Sequence, residues 1–143
     1  MKKAVTITIV VLIVLIILIY FYYVSYYSNR ITYLHAWNLS IPSDFAEIYI
    51  ISIVGFHGDG WRYYVFEPKN NTHLPFFNEF QINKNEELEI FVNNVLDNLE
   101  ADEKYSIPFG QPYLWLIKKR NENTLAIIYS PHTCYYYFVQ CIM

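Results

Sequence analysis

From Ala4 to Asn29 every position is uncharged, and Val, Ile, Leu and aromatic residues fill most of the stretch. The densest part, Ala4 to Tyr23, is twenty residues. As a helix it would rise ~30 Å, the thickness of a bilayer's hydrocarbon core. A buried strand of that length would be far outside the usual range. A cleavable secretory signal would have a shorter apolar segment followed by small residues at alternate positions. Here Phe21-Tyr22-Tyr23-Val24-Ser25-Tyr26-Tyr27-Ser28 follows instead,. No cysteine follows the segment in the way lipoprotein processing requires. The pattern therefore predicts a transmembrane signal anchor over residues 4–24, after a cytoplasmic N-terminus of residues 1–3.

Beyond the anchor the pattern changes. Residues 25–45 read as a tether with little periodicity, ending in the turn-forming cluster Ser40-Ile41-Pro42-Ser43-Asp44,. Residues 46–143 then read as one folded domain. Ala46 to Val54 is rich in β-branched residues and predicts a strand, and Trp61 to Phe66 predicts a second,. Leu88, Phe91, Val92, Val95, Leu96 and Leu99 follow the spacing of a single buried helical stripe,. Asn83 with Glu86 three residues later has the form of a capping box, and Glu87 and Glu89 place negative charge where the helix dipole favours it,. Tyr113 to Lys119 predicts a third strand. Thr124 to Ser130 and Cys134 to Gln140 predict a last hairpin around Pro131-His132-Thr133,. The order ββαβββ is that of an α+β domain, a small antiparallel sheet of about five strands with one packed helix. One helix covers one sheet face, yet the last strand is apolar on both: Tyr135, Tyr137 and Val139 against Tyr136 and Phe138. Cover for the second face is expected from the loop carrying Phe76, Phe77 and Phe80; failing that, an aromatic surface is left for a partner.

Charge orients the anchor. Lys2 and Lys3 precede it, and Arg30 is the one basic residue close behind. The positive-inside rule puts the N-terminus in the cytoplasm and the domain outside the cell membrane, single-pass. Tyr20, Phe21, Tyr22, Tyr23, Tyr26 and Tyr27 at the exit end suit the headgroup layer,. From residue 31 onward seven basic residues face thirteen acidic ones, a net charge of −6. That sign excludes nucleic acid as a partner, because phosphate neutralisation needs a basic patch. It also suits a domain standing off anionic headgroups. The expected partners are the lipid bilayer and another membrane or envelope protein.

Cys134 and Cys141 fall in one expected strand. Seven residues span ~23 Å and the odd spacing points them to opposite faces, so they are not expected to bridge each other.

Candidate chemistry is sparse. Three of the chain's four glycines fall in Gly55-Phe56-His57-Gly58-Asp59-Gly60. A tight or bulged hairpin accounts for them, since glycine reaches positive φ without steric cost. The functional alternative is a ligand site using His57 and Asp59, joined by His132 if the two hairpin tips meet. His57 and Asp59 alone are too few for zinc, which needs at least three protein donors, and His35, His73 and His132 show no completing spacing,. No serine stands in a nucleophile elbow, and nothing near Cys134 in sequence would lower its pKa,. No catalytic residue, metal or cofactor is expected, and the chain does not read as an enzyme.

The short N-terminal anchor, the Gly-Phe-His-Gly-Asp-Gly hairpin, and Asn-Thr-Leu-Ala-Ile-Ile-Tyr (123–129) followed by Tyr-Tyr-Tyr-Phe (135–138) together resemble a family of small membrane-anchored extracytoplasmic proteins of low-GC Gram-positive bacteria. The resemblance implies a bacterial cell-envelope setting and no activity. In those relatives the segment before the histidine is more acidic and hydroxylated, whereas here it is Ser52-Ile53-Val54. The function expected from all this is a membrane-tethered binding or accessory interaction module. The alternatives are a metal-dependent or hydrolytic ectoenzyme using the His57/Asp59 tip, and a small membrane protein acting through its span. Against the latter, the span has no Gly-x-x-x-Gly and no polar residue beyond Thr6 and Thr8 to hold helices together,.

Overall fold

A computed structural model describes residues 11–22 and 37–143, with only the backbone of Asn71. Lys2, Lys3, Arg30, His35, residues 4–10 and 23–24 of the expected anchor, and the tether as far as residue 36 lie outside the described residues. The chain divides into two compact units, Met1–Ser40 and Ile41–Met143.

In the first unit residues 11–22 form a helix, α1. Its side chains from Val11 to Tyr22 are between 47% and 75% exposed. The helix is therefore apolar all round. No helix among the described residues is long and apolar enough to cross a membrane.

The second unit holds five strands: β1 (Phe45–Val54), β2 (Gly60–Pro68), β3 (Leu114–Arg120), β4 (Asn123–Ser130) and β5 (Tyr135–Ile142), with the helix α2 (Glu86–Leu99) between β2 and β3. The sheet is antiparallel throughout, in the order β1-β2-β5-β4-β3. Two hairpins, β1–β2 and β3–β4, are thus joined by the last strand, which sits at the centre of the sheet. The α+β order ββαβββ agrees with the sequence reading.

Registration sorts the sheet into two faces. Val65, Tyr137, Ile128 and Trp115 lie side by side across β2, β5, β4 and β3, as do Tyr63, Val139, Ala126 and Ile117 in the next row. These rows form one core with Leu88, Val92, Val95 and Leu99 of α2. The helix meets the sheet through the expected stripe, but Phe91 and Leu96 sit only partly buried at its margins.

The start of α2 corrects the sequence reading. Asn85, not Asn83, is the N-cap, and its Oδ1 accepts the Leu88 N–H at 3.0 Å. The other half of the expected box is replaced by a tyrosine. Asn85 N–H donates to the Tyr113 hydroxyl (2.9 Å), which donates in turn to Glu89 Oε1 (2.8 Å). Asn83 contributes its carbonyl to Trp115 Nε1. The helix closes with Glu100 at φ 51° and Ala101 N–H donating to Leu96 O at 3.1 Å, a Schellman-type end,.

On the face away from α2, Phe77 and Phe80 lay their rings edge-on to Tyr136, at 6.4 and 6.2 Å between centroids. Phe77 also meets Tyr129 at 5.5 Å. The Phe-rich loop therefore covers the Tyr129–Tyr136 end of this face. Cys134 is a second correction. It lies outside β5, in the turn after β4, with φ 59° and an exposed thiol, while Cys141 is buried within β5. Both are free.

Candidate functional site

The β1–β2 hairpin is closed by hydrogen bonds that its glycines make room for. Gly58 N–H donates to Gly55 O at 3.0 Å, which folds residues 55–58 into a tight turn, and Gly55 N–H donates to Asp59 O at 2.7 Å, which restarts the ladder. Gly58 takes φ +84° in open space. Gly60 takes φ +133°, and a Cβ there would collide with the Ile53 carbonyl oxygen. Gly55 leaves space of another kind: a Cβ would come 2.6 Å from Asp59 Oδ1, so the carboxylate rests where a side chain would be. Arg62 Nη2 steadies the turn by donating to Gly58 O at 3.3 Å.

This scaffold pushes two rings outward. Phe56 and His57 occupy the middle of the turn and meet edge to face at 5.4 Å. Phe56 is fully exposed (100%). His57 and Asp59 are exposed too, and the approach to the tip carries exposed Ile53 and Val54. Beside the tip an open hollow of about 550 Å³ is lined by Ile53, Gly55, Asp59, Gly60, Trp61, Cys141, Ile142 and Met143, mostly apolar.

His132 does not join this site. The pairing of Gly60 with Ile142 puts the β1–β2 tip at one end of the sheet, and the pairing of Ser130 with Tyr135 puts the β4–β5 turn at the other. The length of β5, roughly 23 Å at ~3.3 Å per residue, separates them. His57 and Asp59 share a hairpin, and no group of three or more His, Cys, Asp or Glu able to hold a metal occurs among the described residues. The hairpin can therefore present a ring, an imidazole and a carboxylate to a partner. It lacks the third donor that a zinc site demands.

One arrangement escaped sequence reasoning. His73 lies flat on Phe77 (4.1 Å between centroids), and its Nδ1 is 2.8 Å from the Tyr136 hydroxyl. Burial pushes the Tyr136 phenol well above its usual range. Tyr129, 4.5 Å from Tyr136 ring to ring, is also raised by burial, with the nearby Cys134 thiol adding to it. The imidazole thus satisfies a buried hydroxyl and holds the Phe-rich loop on the sheet. Sixty-three positions separate His73 from Tyr136, and no local spacing signals such a pair.

No protein-family model matches this chain, and neither a curated protein nor a solved structure does.

Proposed function

We propose that the chain is a single-pass membrane-anchored protein whose extracytoplasmic domain serves as a binding or accessory module at the bacterial envelope, making contact through the β1–β2 tip. Exposed Phe56 is the observation that carries the binding half of this reading. A bare phenyl ring held out by a hydrogen-bonded turn gains free energy when a partner covers it, ~25 cal/mol for each Å² of apolar surface removed from water. The anchoring half is supported by the uncharged stretch from Ala4 to Asn29 and by α1, whose apolar side chains are exposed on every side. In water such a helix would be a liability; in lipid it is solvated.

Two measurements test the reading. A single cysteine placed at Glu122 in a background with Cys134→Ser and Cys141→Ala should react with an impermeant thiol reagent on whole cells. Labelling seen only after lysis would reverse the orientation. A photo-crosslinking residue at position 56 should yield a defined protein adduct on intact cells, while one at the exposed Ile90 of α2 should not. Equal adducts from both positions would show that the tip has no special role.

A further inference from the structure

The two edges of the sheet are finished differently. β3 ends in Lys118-Lys119-Arg120, and its Trp115 exchanges backbone hydrogen bonds with Gln81 (2.8 and 2.9 Å). Charge and a covering residue are the usual devices that keep a sheet edge from pairing with another chain. β1, the other edge, carries no charge from Ile48 to Val54. Ile50, Ile53 and Val54 are 46%, 51% and 42% exposed.

The ladder shows which backbone groups of β1 have no partner among the described residues. Hydrogen-bonded pairs in an antiparallel ladder recur at every second residue. Since Gly55 bonds to Asp59, the residues facing β2 are Ile53, Ile51 and Tyr49, opposite Trp61, Tyr63 and Val65. Ile50, Ser52 and Val54 therefore turn their N–H and C=O groups away from the sheet. The regular stretch is bounded by an irregularity between Glu47 and Tyr49 on one side and by the turn at Gly55 on the other. Its midpoint is Ser52.

We propose that β1 pairs with β1 of a second copy of this chain, antiparallel and centred on Ser52, extending the sheet across a two-fold axis. In that register Ile50 stands opposite Val54 of the second copy, Ile51 opposite Ile53, and Ser52 opposite itself. All three outward-facing residues meet outward-facing residues, so up to six main-chain hydrogen bonds form. Every cross-strand neighbour is apolar against apolar, except the one small polar residue on the axis. A second copy is the occupant because the stretch is complementary to itself, and an isologous contact of this kind closes at two subunits. No charge within it opposes association of two acidic domains.

Cysteine crosslinking of the full-length chain in detergent micelles tests the register, in the background with Cys134→Ser and Cys141→Ala. Residues in a hydrogen-bonded pair have Cα atoms ~5.5 Å apart, inside the span a disulfide can bridge. Ser52→Cys should give a reducible dimer on mild oxidation. Ile50→Cys should not, because the two sulfurs would lie ~13 Å apart along the strand. Ser52→Pro should keep the native near-ultraviolet circular dichroism, since an edge strand tolerates proline where its N–H faces outward. It should also weaken dimerisation by about tenfold or more in sedimentation equilibrium. A monomeric parent chain, a dimer that survives Ser52→Pro with unchanged affinity, or equal crosslinking at positions 50 and 52 would each overturn the proposal. The last two results would assign association to another surface, such as the N-terminal helix.

Discussion

Gly58 and Gly60 both hold positive φ, but only one of them is also hemmed in by its neighbours. At Gly58 an added methyl enters open space, so only the left-handed backbone resists it. At Gly60 the methyl would meet the Ile53 carbonyl, so relief requires moving β1. Gly58→Ala should therefore cost about 1 kcal/mol, and Gly60→Ala about 2 kcal/mol or more. Chemical denaturation of the two variants side by side checks the order. His57→Ala and Asp59→Ala should move the midpoint by less than about 0.5 kcal/mol, because both side chains are exposed. The glycines' role as turn-formers was legible from the sequence, since three of four crowd into six positions. The position of Cys134 was not. Its φ of 59° places it in a turn, and left-handed geometry at a non-glycine residue is decided by the hydrogen bond Cys134 N–H gives to Ser130 O (2.8 Å), which no composition rule reports.

At the level of elements, α2 shows how a periodic pattern fixes a helix and leaves its ends open. The stripe from Leu88 to Leu99 repeats at helical spacing, and that was enough to assign the buried face. Where the helix begins depends on which asparagine a distant tyrosine reaches: Tyr113 bonds the Asn85 N–H and draws the cap two positions along from Asn83. Leu88→Ala empties a site that is 1% exposed, and it should cost about 2–5 kcal/mol. Leu96→Ala, at the margin of the stripe, should cost about half of that or less. Asn85→Ala should cost about 1 kcal/mol through the lost cap. Denaturant midpoints with an unchanged slope would confirm all three, and a larger loss at Leu96 than at Leu88 would mean that α2 is turned on the sheet. The sheet order was beyond sequence reach for a related reason. The hairpins are local and announced by their turns, but the pairing of β5 with β2 joins residues some seventy-five positions apart, such as Tyr63 and Val139.

Across the whole domain the core is built from tyrosine to an unusual degree. The chain has fifteen tyrosines, and Tyr63, Tyr136 and Tyr137 are among its most completely buried side chains. Burial lifts the phenols of Tyr63, Tyr64 and Tyr136 above their usual 10.0, that of Tyr64 to about 12. A raised acid holds its proton more tightly in the folded chain than in the unfolded one. The stability this provides is complete below about pH 10 and is lost as pH climbs through the folded-state values. Denaturation midpoints should therefore fall steadily above about pH 10. Phenolate absorbance from these rings should rise together with the loss of near-ultraviolet circular dichroism. Absorbance that rises fully while the dichroism stays intact would show that the rings ionise in place.

The central seat of β5 also dictates the order in which this domain can be made. Synthesis delivers a chain N-terminus first, so β1–β2 and β3–β4 emerge as two half-sheets with nothing between them. Tyr136, Phe138 and Val139 are all fully buried, and β2 and β4 both wait for β5 to complete their ladders. Until residues 135–142 leave the ribosome the two hairpins share no strand, and hairpins alone are marginal in water,. A domain built this way has two separate halves through the making of its first four strands, and the fifth strand welds them into one sheet.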